Sequence, residues 1–354
     1  MSRIRVLVVD DSAVVRRLII AALSEDPRID VVGTASQGRE ALVRIQELAP
    51  DLVTLDVEMP EMDGLQTLAA LRAQGRSLPV IMLSSHTERG AAATVDSLFH
   101  GAKDYVTKPH DLGSSAAAVQ KLRSDLLPKI HALCPDPAGR EKAAAAHSDS
   151  ASRTGLVAIG ASTGGPQALM DFFEALPAPL PVPAIVVQHM PALFTRALAE
   201  RLSERVAHPV REAVHDEPLV PGGVWIAPGN RHLEVVRRGA ELRVRLQDGP
   251  AENGCRPSVD VLFRSAARVL GSAAVAVVLT GMGHDGEQGA REIHAGGGVI
   301  FAQDELSSVV WGMPGSVVRA GLARTALPPR LLAYQVARQI GCPADPNPAR
   351  SRHG

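Results

Sequence analysis

The 354 residues exceed what one ordinary hydrophobic core holds and suit two domains. A formal net charge of -1, from 37 basic and 38 acidic side chains, leaves no basic excess for a nucleic acid, and aromatics at 3% supply few stacking platforms. No apolar run approaches the ~20 residues that span a bilayer, so no direct membrane insertion is expected. The opening MSRIRVLVVDD has no signal-peptide plan, because acids follow the apolar stretch at once. Cys134, Cys255 and Cys342 are odd in number and far apart in sequence, which fits neither a disulfide framework nor a zinc motif. Together these features predict a globular protein of the cytoplasm.

In chain order, short apolar runs at 3–9, 30–35, 52–55, 79–83 and 104–107 alternate with amphipathic stretches such as 13–24 and 38–47. Near-continuous Val/Ile/Leu strands between helices predict a parallel sheet covered on both faces, a flavodoxin-like five-stranded domain over residues 1–130. Asp10 and Asp11 end the first strand, Asp56 the third, Ser84 the fourth and Lys108 the fifth. Strand carboxyl ends form the ligand crevice of such a sheet, so these groups should converge. Carboxylates gathered there repel one another unless a hard cation joins them, and Mg²⁺ suits that role. With the metal and Lys108 neutralising charge, the pocket could support phosphoryl transfer to a carboxylate. The plain alternative for Asp11-Ser12 is a helix N-cap.

Here the chain resembles the response-regulator receiver family, through VVDDS at 8–12, LDVEMPEMDG at 55–64, Ser84 and YVTKP at 105–109. The resemblance implies Asp56 as phosphoacceptor, Asp10, Asp11, Asp56 and the Glu58 carbonyl as Mg²⁺ ligands, and Ser84 with Tyr105 as a switch pair. It also implies a histidine kinase as phosphodonor.

Small and polar residues then predict a linker over 131–153, including PDPAGREKAAAAHSDSASR. A second α/β alternation follows over 154–342, with strands at 156–159, 184–188, 224–227 and 274–280 and helices at 166–175, 194–206 and 259–270. This predicts a doubly wound α/β domain, with a small antiparallel hairpin from the runs at 232–236 and 242–246. The tail at 343–354 reads as disordered.

Strand 156–159 runs into GASTGG, a G-x-S-x-G match in strand–turn–helix context that would present the Ser162 hydroxyl at the crevice. Such a turn could instead serve as a helix cap or a phosphate-binding turn. His189 follows the second strand in QHMP, and Asp285 follows AVAVVLT in TGMGHDG, so all three groups belong to one rim. A serine needs a base, and the base an orienting acid, to become nucleophilic. The order Ser, His, Asp differs from the Ser, Asp, His order of α/β-hydrolases. Gly281-x-Gly283-x-x-Gly286 with Asp304 also matches a dinucleotide fingerprint, although that motif should open a first βα unit rather than a late one.

Taken with GGVWIAPG, RPSVDVLF and VVWGMPG, these motifs make residues 154–340 resemble the catalytic domain of chemotaxis protein-glutamate methylesterases. The resemblance implies Ser162 as nucleophile, His189 as base, Asp285 as orienting acid, and the amides of Thr163 and Met282 as oxyanion donors, with no cofactor for the esterase step. It implies hydrolysis of glutamate methyl esters on methyl-accepting chemoreceptors, releasing methanol, deamidation of receptor glutamines, and control by the phosphorylated receiver. His284 stands where the family motif usually carries Asn, and a harmless surface change is expected there. The rival reading is a non-enzymatic signalling adaptor.

Overall fold

A computed structural model describes residues 3–109, 114–135 and 154–342, so most of the expected linker and the whole tail at 343–354 lie outside the described residues. The chain divides into two compact units, Met1–Arg140 and Glu141–Gly354.

The first unit runs β1 (Ile4–Val9), α1 (Ala13–Ser24), β2 (Ile29–Ala35), α2 (Gly38–Leu48), β3 (Leu52–Asp56), α3 (Gly64–Ala73), β4 (Val80–Ser84), α4 (Glu88–Phe99), β5 (Asp104–Thr107) and α5 (Ser115–Leu133). The strands pair in parallel in the order β2-β1-β3-β4-β5, the flavodoxin-like winding expected from the sequence. Val6 to Val9 are fully buried because helices cover both faces of β1. Ile19, Ala22 and Leu23 of α1 bury one stripe at helical spacing. Turn residues start the helices: Ser12 Oγ accepts from the Val15 amide, and Asp63 with Gln66 forms a capping box on α3. The winding reverses between β1 and β3, so Asp10 and Asp56 sit where a ligand crevice should open.

The second unit runs β6 (Leu156–Ala161), α6 (Gly165–Ala175), β7 (Ala184–Gln188), α7 (Ala192–Arg205), β8 (Val210–Glu212), β9 (Val224–Ile226), β10 (His232–Arg238), β11 (Glu241–Gln247), α8 (Val259–Leu270), β12 (Ala274–Val278), α9 (Glu287–Ala295), β13 (Val299–Gln303), α10 (Met313–Arg319), β14 (Thr325–Leu327) and α11 (Pro329–Gln339). Seven strands form a parallel sheet in the order β14-β13-β12-β6-β7-β9-β8, and β10 and β11 form the expected antiparallel hairpin. Three sheet strands, β8, β13 and β14, were not among the clearest runs of the sequence. Two of them are only three residues long and lie at the sheet edges, where little apolar pattern is required.

The winding of this sheet reverses at β6, with β7 on one side and β12 on the other. The segments following these three strands therefore meet at one rim. Helix α8 packs under that rim, and Gly160 permits it: a Cβ there would lie 2.4 Å from Val259 Cγ1. Gly160→Ala should therefore destabilise the second unit by about 1–3 kcal/mol through overpacking. Adding Val259→Ala should restore much of that loss in a denaturant titration, whereas a purely local backbone effect of Gly160 would leave it unrelieved.

Candidate functional site

At the second rim, the register Ala161↔Gln188 carries the chain into Ser162 and His189 side by side. The Ser162 amide donates to the Thr280 carbonyl at 3.0 Å, which binds the turn after β6 to the end of the β12 segment. Gln188 Nε2 donates to the Ser162 carbonyl at 2.9 Å, and Gln303 Oε1 accepts from the Thr280 amide at 2.8 Å. Two strand-end glutamines thus pin the turn from both sides. Gly164 takes φ 78, in the left-handed region open to glycine, and α6 begins one residue later. Gly165 must be small as well, since a Cβ would come 1.9 Å from Gln188 Oε1. Ser162 is therefore held just ahead of a helix N-terminus, whose amides and dipole favour developing negative charge.

His189 Nε2 lies 2.8 Å from Asp285 Oδ2. Asp285 is 3% exposed. Its Oδ2 also accepts from the Val259 amide at 2.7 Å, while Oδ1 accepts from Ser258 Oγ at 2.8 Å, the Asp260 amide at 3.1 Å and Asn253 Nδ2 at 3.1 Å. The Ser258 side chain, at the N-cap of α8, makes no capping bond to its own helix. Asp285 takes that place from another segment and sits at the positive end of α8. Burial alone would raise its pKa, but His189, the Val259 amide and Ser258 outweigh burial and hold Asp285 ionised far below the usual carboxylate range. Burial would likewise lower the pKa of His189; Asp285 and then Cys255 overcome it and raise the imidazole above its ordinary value. The other ring nitrogen, Nδ1, lies 3.5 Å from Cys255 Sγ.

Thr163 is buried directly after Ser162, and Met282 follows Gly281, where a Cβ would lie 2.9 Å from Ser162 Cβ. Both expected oxyanion positions therefore belong to segments that border the serine. His284 is exposed, and its carbonyl accepts from the Glu287 amide. The glycine pattern at 281–286 is explained by the turn: Gly283 and Gly286 take φ 82 and 98, and Gly286 caps α9. Asp304 accepts from the Ser307 amide and hydroxyl in its own loop.

In the first unit, Asp10 and Asp56 are buried and Asp11 is exposed, and oxygens of all three lie within 4.8 Å of one another. Lys108 Nζ reaches Asp10 Oδ2 at 2.8 Å and Asp56 Oδ2 at 2.7 Å. Burial, partly opposed by Lys108, pushes the pKa of Asp56 up to about 6. One ammonium against this many carboxylate oxygens leaves a negative, all-oxygen cluster, the donor set that a hard divalent ion fits. Glu58 lies on the exposed rim, where its amide donates to Asp56 Oδ1 at 3.3 Å and its side chain accepts from Ser85 Oγ at 3.2 Å. Ser84 Oγ is turned toward α4, donating to the Gly90 carbonyl at 3.2 Å and accepting from Thr94 Oγ1 at 2.7 Å. Tyr105 is buried, with Lys129 Nζ 5.5 Å from its ring centroid.

Gln188, Gln303, Asn253, Ser258 and Cys255 also belong to the site, and no sequence signal singles them out. RPSVDVLF marked the neighbourhood of Ser258, but its bond to Asp285 crosses 27 positions and leaves no periodic signal.

Fold and site together define a response regulator whose output unit carries a hydrolase-type serine, histidine and aspartate at one rim. The response regulator receiver domain model matches residues 6–120, and the CheB methylesterase model matches residues 157–336. A protein-glutamate methylesterase/protein-glutamine glutaminase of Nocardioides sp. is 52% identical over 96% of both chains. One from Trichodesmium erythraeum is 47% identical, covering 96% of this chain and all of that one. The Thermotoga maritima CheB methylesterase catalytic domain superposes with a TM-score of 0.52 at 39% identity, over 53% of this chain and 99% of that structure. The chain belongs to the CheB methylesterase family.

Two outcomes follow from the electrostatics. A neutral imidazole is the form that can accept a proton, so with His189 as the expected base kcat/KM of the free protein should rise with pH until it deprotonates, above imidazole's ordinary value of about 6.5. Asp285→Asn should move that limb to lower pH and reduce the plateau by about 10²–10⁴-fold; an unmoved limb in the pH–rate profile would remove Asp285 as its cause. In the receiver, Asp56 is partly protonated at and below a pH of about 6. Mg²⁺ binding there should release protons, seen by calorimetry in buffers of different ionisation enthalpy, and Asp56→Asn should abolish the release.

Proposed function

We propose that this chain is a phosphorylation-activated hydrolase that demethylates glutamate methyl esters on chemoreceptors and deamidates receptor glutamines. The observation that carries the reading is the buried His189–Asp285 pair, 2.8 Å apart, beside the Ser162 turn. Asp285 holds Nε2, which leaves Nδ1 as the nitrogen that takes the Ser162 proton. Ser162 then attacks the ester carbonyl, the imidazolium forms against Asp285, and the amides of Thr163 and Met282 receive the oxyanion. Methanol departs with the proton returned from His189, and water, deprotonated by the same imidazole, releases the acyl group as glutamate. A glutamine carboxamide follows the same steps and releases ammonia.

Residues 1–130 serve as the receiver, 131–153 as the linker and 154–342 as the output domain. Asp56 accepts the phosphoryl group from a histidine kinase, and Asp10, Asp11, Asp56 and the Glu58 carbonyl would hold Mg²⁺. Bound there, the ion would supply charge neutralisation for the transfer. Lys108, already between Asp10 and Asp56, is placed to contact the acyl phosphate, and Ser84 with Tyr105 forms the responsive pair. No helix among the described residues is long and apolar enough to cross a membrane, in keeping with work from the cytoplasm on receptor tails.

The test is methanol release from methylated receptor membranes, with and without Mg²⁺ and a small acyl-phosphate donor. The donor should stimulate release. Asp56→Ala should lose the stimulation and keep the basal rate, and Ser162→Ala should lose release by about 10⁴–10⁶-fold. Folded protein that releases nothing from any receptor would favour the adaptor.

A further inference from the structure

The ring nitrogen that the proposed reaction leaves to the serine lies beside a thiol. Cys255 Sγ lies 3.5 Å from His189 Nδ1, although the two residues are 66 positions apart. The thiol is half-buried and sits on a tight turn closed by two bonds: the Cys255 amide donates to the Glu252 carbonyl at 2.8 Å, and the Glu252 amide to the Cys255 carbonyl at 3.0 Å. Two properties of the pair are those of a zinc site. Zinc bonds of about 2.3 Å to sulfur and 2.0–2.1 Å to nitrogen, at a tetrahedral angle, place the two ligand atoms about 3.5 Å apart. Independently, the far nitrogen of His189 is bound to a carboxylate, the arrangement that fixes tautomer and ring orientation in zinc-ligating histidines. The lone pair of neutral His189 is thereby aimed to the side on which the thiol lies.

We propose that His189 Nδ1 and Cys255 Sγ form a zinc site, with water completing the coordination, and that zinc bound there switches the hydrolase off. On binding, the thiol S–H bond breaks as a Zn–S bond forms, the imidazolium Nδ1–H bond breaks as a Zn–N bond forms, and both protons pass to solvent. The metal takes the same Nδ1 lone pair that removes the serine proton, a contribution of about 10²–10⁴-fold to rate. Asp285 stays outside the coordination sphere, across the ring, as the partner of Nε2. The inhibition rests on the methylesterase reading of the site; the binding does not.

The experiment uses the full chain in a phosphine reductant, with Mg²⁺ in excess to occupy the receiver carboxylates. Cobalt(II) is titrated first. One equivalent should produce a near-ultraviolet thiolate-to-cobalt absorption that zinc then bleaches, and the band should be absent from both Cys255→Ala and Cys255→Ser. Methanol release is then measured against zinc, each protein normalised to its own zinc-free rate. The unsubstituted chain should be inhibited, and the Cys255 variants should need at least tenfold more zinc. Absence of the band in the unsubstituted chain, or its persistence in the folded variants, overturns the site. Equal zinc sensitivity of all three proteins overturns the switch. A chain that shows the band but turns over no ester keeps the metal site and loses the hydrolase reading instead.

Discussion

The output unit is organised around the carboxylate of Asp285. An ionised carboxylate removed from water costs several kcal/mol unless donors replace the lost solvent. Here they come from distant parts of the chain: the Val259 and Asp260 amides at the start of α8, the Ser258 hydroxyl, the Asn253 carboxamide and His189. Each donor requires its segment to be in place. Helix α8 can present its amides only because Gly160 leaves room for Val259 against β6. Asn253 also donates to Asp260 Oδ2 at 2.8 Å, while Asp260 Oδ1 accepts from the Gly289 amide of α9 at 2.7 Å. The carboxylates of Asp285 and Asp260 thereby join the loops after β7 and β12 to α8, α9 and the turn before α8, and the group bound to the imidazole is also one on which the packing of the unit depends.

The receiver pocket uses the same topological rule with the opposite electrostatic outcome. Both pockets open where a parallel sheet reverses its winding. At Asp285 the donors are saturating, and the carboxylate remains ionised without help. At Asp56 the burial is greater than Lys108 alone can offset, so its pKa lies near 6. That imbalance makes a cation welcome, because it offsets the repulsion among the gathered carboxylates. A saturated pocket would gain nothing from one.

The sequence made the rims legible because near-continuous apolar strands end in residues of a different kind. Asp10, Asp56, Lys108, Ser162 and His189 each stand at or just past such an end and Asp285 in the loop that follows one, so their chemistry and their placement could be read together. Edge strands β8 and β14 have too few residues to impose a pattern. The supporting groups were hidden for another reason. Gln188 and Gln303 end strands too, but a glutamine there has no special meaning until its amide is seen to hold a neighbouring turn. Cys255 illustrates the limit of spacing arguments: no short-range motif contains it, yet the turn before α8 delivers its sulfur to His189. In the receiver, Ser84 ends its strand as expected, but its hydroxyl is engaged with α4 through Gly90 and Thr94, which ties that strand end to the helix that follows.

The partnership of His189 with Asp285 also sets a conflict that the site must accommodate. Stabilising the imidazolium raises the basicity of His189 and, in the proposed reaction, lowers the energy of the state formed when the serine proton arrives. It also reduces the fraction of neutral imidazole available at rest. Asp285 cannot be retuned to relieve this, because its other donors hold α8 in place. The Nδ1 side is free of that structural duty: Cys255 meets the ring there from an irregular turn and not from a sheet strand or helix. Adjustment of the base at little cost to the fold is therefore confined to that side, and there the chain has put a soft, metal-binding atom.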